Sequence, residues 1–108
     1  MLYNKSMDLF AALAAPRRRQ VIEILSRRGK LSASQICDEF DVTPQAISQH
    51  LRVLREAHVV NVEKKAQQRL YTLDPRSVDP IQTWAAKVSE AWNRRLERLD
   101  RIMKEEST

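Results

Sequence analysis

Two helix starts stand eleven residues apart near the middle of the chain, and they leave little room for alternatives. The first is Ser32-Ala33-Ser34-Gln35, a Ser-x-x-Gln capping box in which hydroxyl and amide each satisfy a backbone donor that the first turn leaves orphaned. The second is Thr43-Pro44, a hydroxyl cap followed by a residue whose missing N–H costs nothing at the first helical position. A helix begun at the first cap must stop early, turn through Asp41-Val42, and begin again at the second. Ile36 and Phe40 share one side of the earlier helix, and Ile47, Leu51 and Leu54 form the apolar stripe of the later one. Two short helices joined by a three-residue turn predict a helix-turn-helix over residues 34–55.

The flanks complete a mainly α chain of about five helices with a small β-hairpin. Its 108 residues suit a single domain, and one Gly, four Pro and 43% apolar residues suit an ordered one. Leu9 to Ala15 reads as a first helix. Pro16 opens a second, with Val21, Ile22 and Leu25 on one face and no capping side chain at Ala15. Gly29 follows Arg27 and Arg28, which suits a left-handed C-terminal cap with cations in the last turn. From Val59 the period changes to alternation, and a second run, Arg69 to Leu73, makes a hairpin over residues 59–73 across Lys65-Ala66-Gln67-Gln68. Asp74-Pro75 ends the hairpin. Asp79 and Pro80 then cap and open a last helix over residues 80–104, about 36 Å long at about 1.5 Å per residue.

That last helix carries a continuous apolar stripe of Ile81, Trp84, Val88, Ala91 or Trp92, Leu96, Leu99 and Met103. Glu90 with Arg94 and Glu97 with Arg101 stand at the favourable i, i+4 order on its other faces. A domain this small cannot cover the whole stripe. The expected solution is a second copy of the chain, with Leu9, Phe10 and Leu13 of the first helix joining Ile81, Trp84, Val88, Trp92, Leu96 and Leu99 in a homodimer interface.

Charge suggests the other partner. The net charge of +5 and pI near 9.8 fit a polyanion. The excess lies in the first two thirds: net +5 over residues 1–31, −3 over 32–41, +3 over 42–73 and zero over 74–108. From Val42 to Arg55 there is no acidic residue, and the outer face of the helix after Pro44 carries Gln45, Ser48, Gln49 and Arg52. Amides pair with adenine N6 and N7, Arg with guanine O6 and N7, and a carboxylate would meet phosphate repulsion, so this face suits base readout in the major groove of double-stranded DNA. The hairpin tip, with Lys64, Lys65, Gln67, Gln68 and Arg69, then becomes a wing that contacts phosphate, as does Thr43. Arg17 to Arg19 have two open readings, phosphate contact or a solvated helix start.

Other classes fit poorly. A lone cysteine, Cys37, cannot form an internal disulfide, which matches a reducing cytoplasm, and beside Ile36 it reads as a small apolar side chain. His50 lies on the helix flank as a structural hydrogen-bonder. No stretch approaches the length needed to cross a bilayer, so no membrane partner is expected. No set of His, Cys and carboxylates assembles a metal site, and no cofactor is expected. No nucleophile with a paired base, carboxylate pair or Gly-rich phosphate loop points to an enzyme. The competing class is a winged-helix module for protein–protein association, against which stands the lack of large apolar residues on the outer face of the fourth helix.

The segments LAAPRRRQVIEIL, SASQICDEFDVTPQAISQHLRVLREAHVV, RLYTLDP and PIQTWAAKVSEAWNRRLERLD resemble, in this order and over nearly the whole chain, the ArsR/SmtB family of winged helix-turn-helix repressors. Ser48-x-His50-Leu51-x-x-Leu54 is the most specific part. The resemblance implies a dimeric transcriptional regulator, usually a repressor of its own operon at a palindromic operator, with helices one and five making the dimer and helix four reading DNA. Metal sensors of that family carry a Cys-x-Cys pair on the third helix or His and acidic ligands on the last. Here Cys37 stands alone and no His follows His58, which places the chain in a branch without a metal site. His58 also stands where the family usually has Gly, a position that would cost His more than Gly if the backbone needs positive φ.

Overall fold

The computed structural model describes residues 5–106, with side chains from Leu9 onward. Its elements follow in the order α1 (Lys5–Ala12), α2 (Pro16–Arg28), β1 (Leu31–Ser32), α3 (Ala33–Asp38), α4 (Pro44–Glu56), β2 (Val60–Lys65), β3 (Gln68–Leu73), a 3-10 turn (Pro75–Ser77) and α5 (Val78–Glu106). Both expected caps form. Ser32 Oγ accepts from the Gln35 N–H at 3.2 Å while Gln35 Oε1 accepts from the Ser32 N–H at 2.8 Å, closing the capping box. Thr43 Oγ1 accepts from the Ala46 N–H at 3.1 Å, with Pro44 at the helix start. The link between α3 and α4 runs from Glu39 to Thr43, longer than the three residues expected, because α3 ends at Asp38 and leaves Phe40 in the turn.

The sheet has three strands rather than two, in the order β1-β3-β2 and antiparallel throughout. The short β1 pairs Leu31 with Tyr71 and Ser32 with Leu70. Two residues carry too little alternation to announce a strand, and only the outer edge of β3 recruits them. In the hairpin Lys65 pairs with Gln68, so the loop is Ala66-Gln67 alone. Ala66 takes φ of 56°, positive at the first loop position as in a type II′ turn, where glycine is the usual occupant.

The core of the unit ending at Val78 gathers Leu9 and Ala12 from α1, Val21, Ile24 and Leu25 from α2, Ile36 from α3, Ile47, Leu51 and Leu54 from α4, and Leu31, Val59, Val60 and Tyr71 from the sheet region. On α2 it is Ile24, not Ile22, that joins Val21 and Leu25 inside, while Ile22 is half-buried. Gly29 has the positive φ expected of a cap, 85°, but with ψ of −110° it lies outside the left-handed helical basin.

The second unit, from Asp79 onward, consists of the rest of α5. The helix starts at Val78, two residues before the expected Pro80, because the 3-10 turn capped by Asp74 leads directly into it. Its 29 residues make a rod about 43 Å long at about 1.5 Å per residue.

Candidate nucleic-acid interface

α4 is held by its inner face and leaves its outer face open. Ile47, Leu51 and Leu54 are at most 1% exposed, which turns the opposite side of the helix outward. There Pro44, Gln45, Ser48, Gln49 and Arg52 line one shallow groove, so the four side chains picked for base readout come together on one surface. No acid lines this groove. The nearest acidic neighbour on the same element, Glu56, meets Arg52 Nε only at 3.9 Å, an exposed pair that restrains the guanidinium little. Thr43 is exposed at the start of the helix with its hydroxyl oxygen already used in the cap.

The end of α4 sets where the wing begins. The Val59 N–H donates to Leu54 O at 2.9 Å and the His58 N–H to Arg55 O at 3.0 Å, the paired bonds of a Schellman motif, with His58 at φ of 61° in the left-handed position. Val59 and Leu54 are both buried beneath this turn. The condition for a cost at His58 is therefore met. Beyond it, β2 and β3 carry Lys64 opposite Arg69 and Lys65 opposite Gln68, with Gln67 in the loop and all five side chains exposed. Lys30 Nζ donates to Glu63 Oε2 at 2.7 Å and ties β2 to the segment before β1. This hydrogen bond, reinforced by the charge of Lys30, holds the Glu63 carboxyl below its usual range.

A second cleft, of about 300 Å³, lies between α4 and β3, lined by Ala33, Ser48, Leu51, Arg52, Arg55, Arg69 and Tyr71. Arg69 is thus at once a wing residue and a neighbour of α4. Arg55 is absent from the sequence-derived set, although Ser48, Arg52 and Arg55 at i, i+4 and i+7 share one helix face, a signal that spacing alone could have supplied.

The three consecutive arginines at the start of α2 turn out to be engaged with the protein itself. Arg18 Nε donates to Ala12 O at 2.6 Å and Arg19 donates to Leu13 O at 2.6 Å, so their guanidinium groups cap the carbonyl end of α1. Arg17 lies 5.0 Å from the Phe40 ring centroid, a cation–π contact to the turn before α4, and donates to Gln20 Oε1 at 3.2 Å. His50 faces the same region. Its Nδ1 is buried with no hydrogen-bond partner among the described residues, so the expected structural hydrogen bond is not made through that atom. Burial, followed by the charges of Arg18 and Arg17, lowers its pKa from the ordinary value near 6.5. Cys37 is half-buried, with Sγ 4.0 Å from Val42 O.

At the end of the wing, Asp74 Oδ1 accepts from the Arg76 N–H at 3.0 Å and Oδ2 accepts from the Arg76 guanidinium at 3.2 Å. The Arg76 side chain, then its backbone N–H, hold the Asp74 carboxyl below its usual range, with a smaller contribution from His58.

In the second unit, Trp84, Val88, Trp92, Leu96 and Leu99 are all at least 45% exposed, and Ile102 and Met103 extend the same apolar surface. Ile81 is half-buried. Arg94, Arg95 and Arg98 flank Trp92 and Val88 along one groove of the helix. Asp100 and Lys104 close to 3.3 Å, whereas Glu90–Arg94 and Glu97–Arg101 do not come within ion-pair distance. Phe10 in α1 and Leu13 just past its end are half-buried, but Leu9 is only 4% exposed and belongs to the core of its own chain, which leaves it almost no surface for a partner. Among the described residues no helix is long and apolar enough to cross a membrane, and no three His, Cys, Asp or Glu side chains group as metal ligands.

Comparison with known proteins gives this arrangement a context. The family described as "Bacterial regulatory protein, arsR family" matches residues 15–62, which span α2 to the start of β2. The arsenical resistance operon repressor of Escherichia coli is 32% identical over 105 residues, covering 96% of this chain and 86% of its own. The transcriptional activator HlyU of Vibrio cholerae is 35% identical over 74 residues, 68% of each chain. Among solved structures, an ArsR-like transcriptional regulator from a Rhodococcus species superposes with a TM-score of 0.71 at 26% identity, over 91% of this chain and 92% of its own.

Proposed function

The chain belongs to the arsR family of bacterial regulatory proteins, which makes it a DNA-binding transcriptional regulator and not an enzyme, and from that premise we propose that it acts as a homodimeric repressor at an inverted-repeat operator. The carrying observation is the outer groove of α4, lined by Pro44, Gln45, Ser48, Gln49 and Arg52 without an acid. In the major groove Gln45 and Gln49 offer both a donor and an acceptor to an adenine edge, Arg52 offers a fork to guanine, and Ser48 pairs with either. Lys64, Lys65, Gln67, Gln68 and Arg69 contact backbone phosphate from the wing, and Thr43 does so at the helix start, which sets position rather than sequence. The exposed apolar surface of α5 joins two copies, and their α4 helices enter successive major grooves about 34 Å apart.

The test is footprinting and binding of the purified protein on DNA upstream of its own gene, at several salt concentrations, beside a Gln49→Ala/Arg52→Ala variant and a scrambled duplex. A protected palindrome, affinity that falls with salt, and lost discrimination in the variant are the expected results. Equal binding of both duplexes by both proteins would reject base readout by α4.

A further inference from the structure

The cleft between α4 and β3 holds three arginines and no acid. Ser48, Arg52 and Arg55 reach it from one face of α4, and Arg69 reaches it from the face of β3 that also presents the buried Tyr71 two residues on. Arg55 and Arg69 have no ion-pair partner among the described residues, and Arg52 has only the 3.9 Å approach of Glu56. Most other arginines in this unit are used, Arg18 and Arg19 on backbone carbonyls, Arg28 with Glu39 and Arg76 with Asp74, and Arg27 lies outside the cleft. Cations brought into one concave site from two elements repel each other until an anion enters. Guanidinium forks match the paired oxygens of a phosphodiester or a carboxylate, so an oxyanion satisfies this set better than a halide, and beside α4 that oxyanion is a phosphate.

Position identifies the source of that phosphate. The cleft adjoins the outer groove of α4, and Ser48 and Arg52 line both. A duplex whose base edges face Gln45 and Gln49 must run its backbone along the flank of the same helix. We propose that Arg55 and Arg69 together seat one DNA backbone phosphate at the junction of helix and wing, and that this seat sets how α4 is registered in the groove. The proposal rests on the placement of α4 in DNA given above. It assigns Arg55 a role in positioning and moves Arg69 from the free tip of the wing to a site shared with α4. Arg52 then stands between the two surfaces, with the seat on one side and the bases on the other.

The experiment uses the full chain with a short random-sequence duplex, since a phosphate seat does not depend on sequence, and with the upstream DNA in parallel. Arg55→Ala, Arg69→Ala, the double variant and Gln49→Ala are compared with the unaltered protein over a range of salt concentrations. All substituted side chains are exposed, and Arg55→Gln serves as a second variant that keeps the helix surface polar. Either arginine variant is expected to bind both duplexes about tenfold more weakly, and the double variant to lower the slope of log affinity against log salt by about 1 in total, the value of one phosphate. Gln49→Ala is expected to leave the slope on random DNA unchanged. A slope reduced by about 2 in the double variant means two separate phosphates and overturns the shared seat, and unchanged affinity and slope overturn it outright. Binding of inorganic phosphate by the DNA-free protein, lost in Arg55→Ala while duplex affinity stays the same, assigns the cleft to a small anion and also overturns it. Failure of the unaltered protein to bind any duplex rejects the placement of α4 and the seat together. Loss of discrimination in Gln49→Ala with no effect in the arginine variants rejects the seat alone.

Discussion

His58 and Ala66 hold positive φ of 61° and 56° at the two turns that frame β2, one closing α4 and the other folding the hairpin. A side chain in this conformation crowds the following carbonyl at a cost of about 1–2 kcal/mol that Gly does not carry, partly offset by the greater freedom of Gly in the unfolded chain. His58→Gly and Ala66→Gly are each expected to raise stability by about 1 kcal/mol in chemical denaturation, with the far-ultraviolet spectrum unchanged. His50 makes a different prediction. Its pKa is lowered in the folded chain, so the unfolded chain takes up the proton first as pH falls below about 6.5. Stability should thus be level above that value and decline below it until the folded imidazole is also protonated. Denaturation from pH 7.5 to 5 should show a shallower decline in His50→Gln, and an identical decline would remove His50 as the cause. The resemblance implies Gly at the position of His58, whereas nothing in the sequence marks the strain at Ala66. Alanine is common everywhere, and the register that forces the turn is not written at that position.

At the scale of the element, α4 is where the local sequence signals and the structure coincide. Its cap, its opening Pro and its inner stripe all form where local chemistry places them, since each depends on residues no more than four positions apart. Thr43→Ala is expected to cost about 1 kcal/mol of stability by removing the acceptor for the Ala46 N–H, seen as a lower denaturation midpoint with unchanged slope. Arg18 and Arg19 show the opposite case. Their positive run invites a phosphate role, yet each guanidinium lies on a carbonyl six residues back, at or just past the end of α1. This contact needs α1 and α2 to be folded against each other, which no local pattern announces. The strand β1 is equally dependent on context, because Leu31 and Ser32 extend only where β3 offers Tyr71 and Leu70 as partners.

For the whole molecule, the question is how the exposed apolar face of α5 and the acid-free outer face of α4 serve one task. A monomer with Trp92 57% exposed and Met103 68% exposed carries a surface that favours association with another molecule. With a second copy as that partner, Trp92→Glu should convert the protein to a monomer in sedimentation equilibrium and weaken operator binding much more than binding to random DNA. A variant that remains dimeric and binds normally would move the interface away from this face. Leu9 belongs to the core, so its truncation should be read in stability rather than in assembly. Leu9, Phe10 and Leu13 look alike in sequence whether their own chain covers them or leaves them for a partner, because an apolar side chain along a helix carries no mark of what will cover it.

Sequence by itself determined the order of the helices and the hairpin, the caps that start α3 and α4, the acid-free outer face of α4 and the basic character of the hairpin behind it. These follow from rules that act over one helical turn or along one strand. Tertiary structure decided the rest: the two-residue turn at Ala66, the third strand, the capping arginines of α2, and the meeting of Arg55 with Arg69 across the cleft. Each joins residues that local periodicity does not relate, and strand register or helix packing alone brings them within reach.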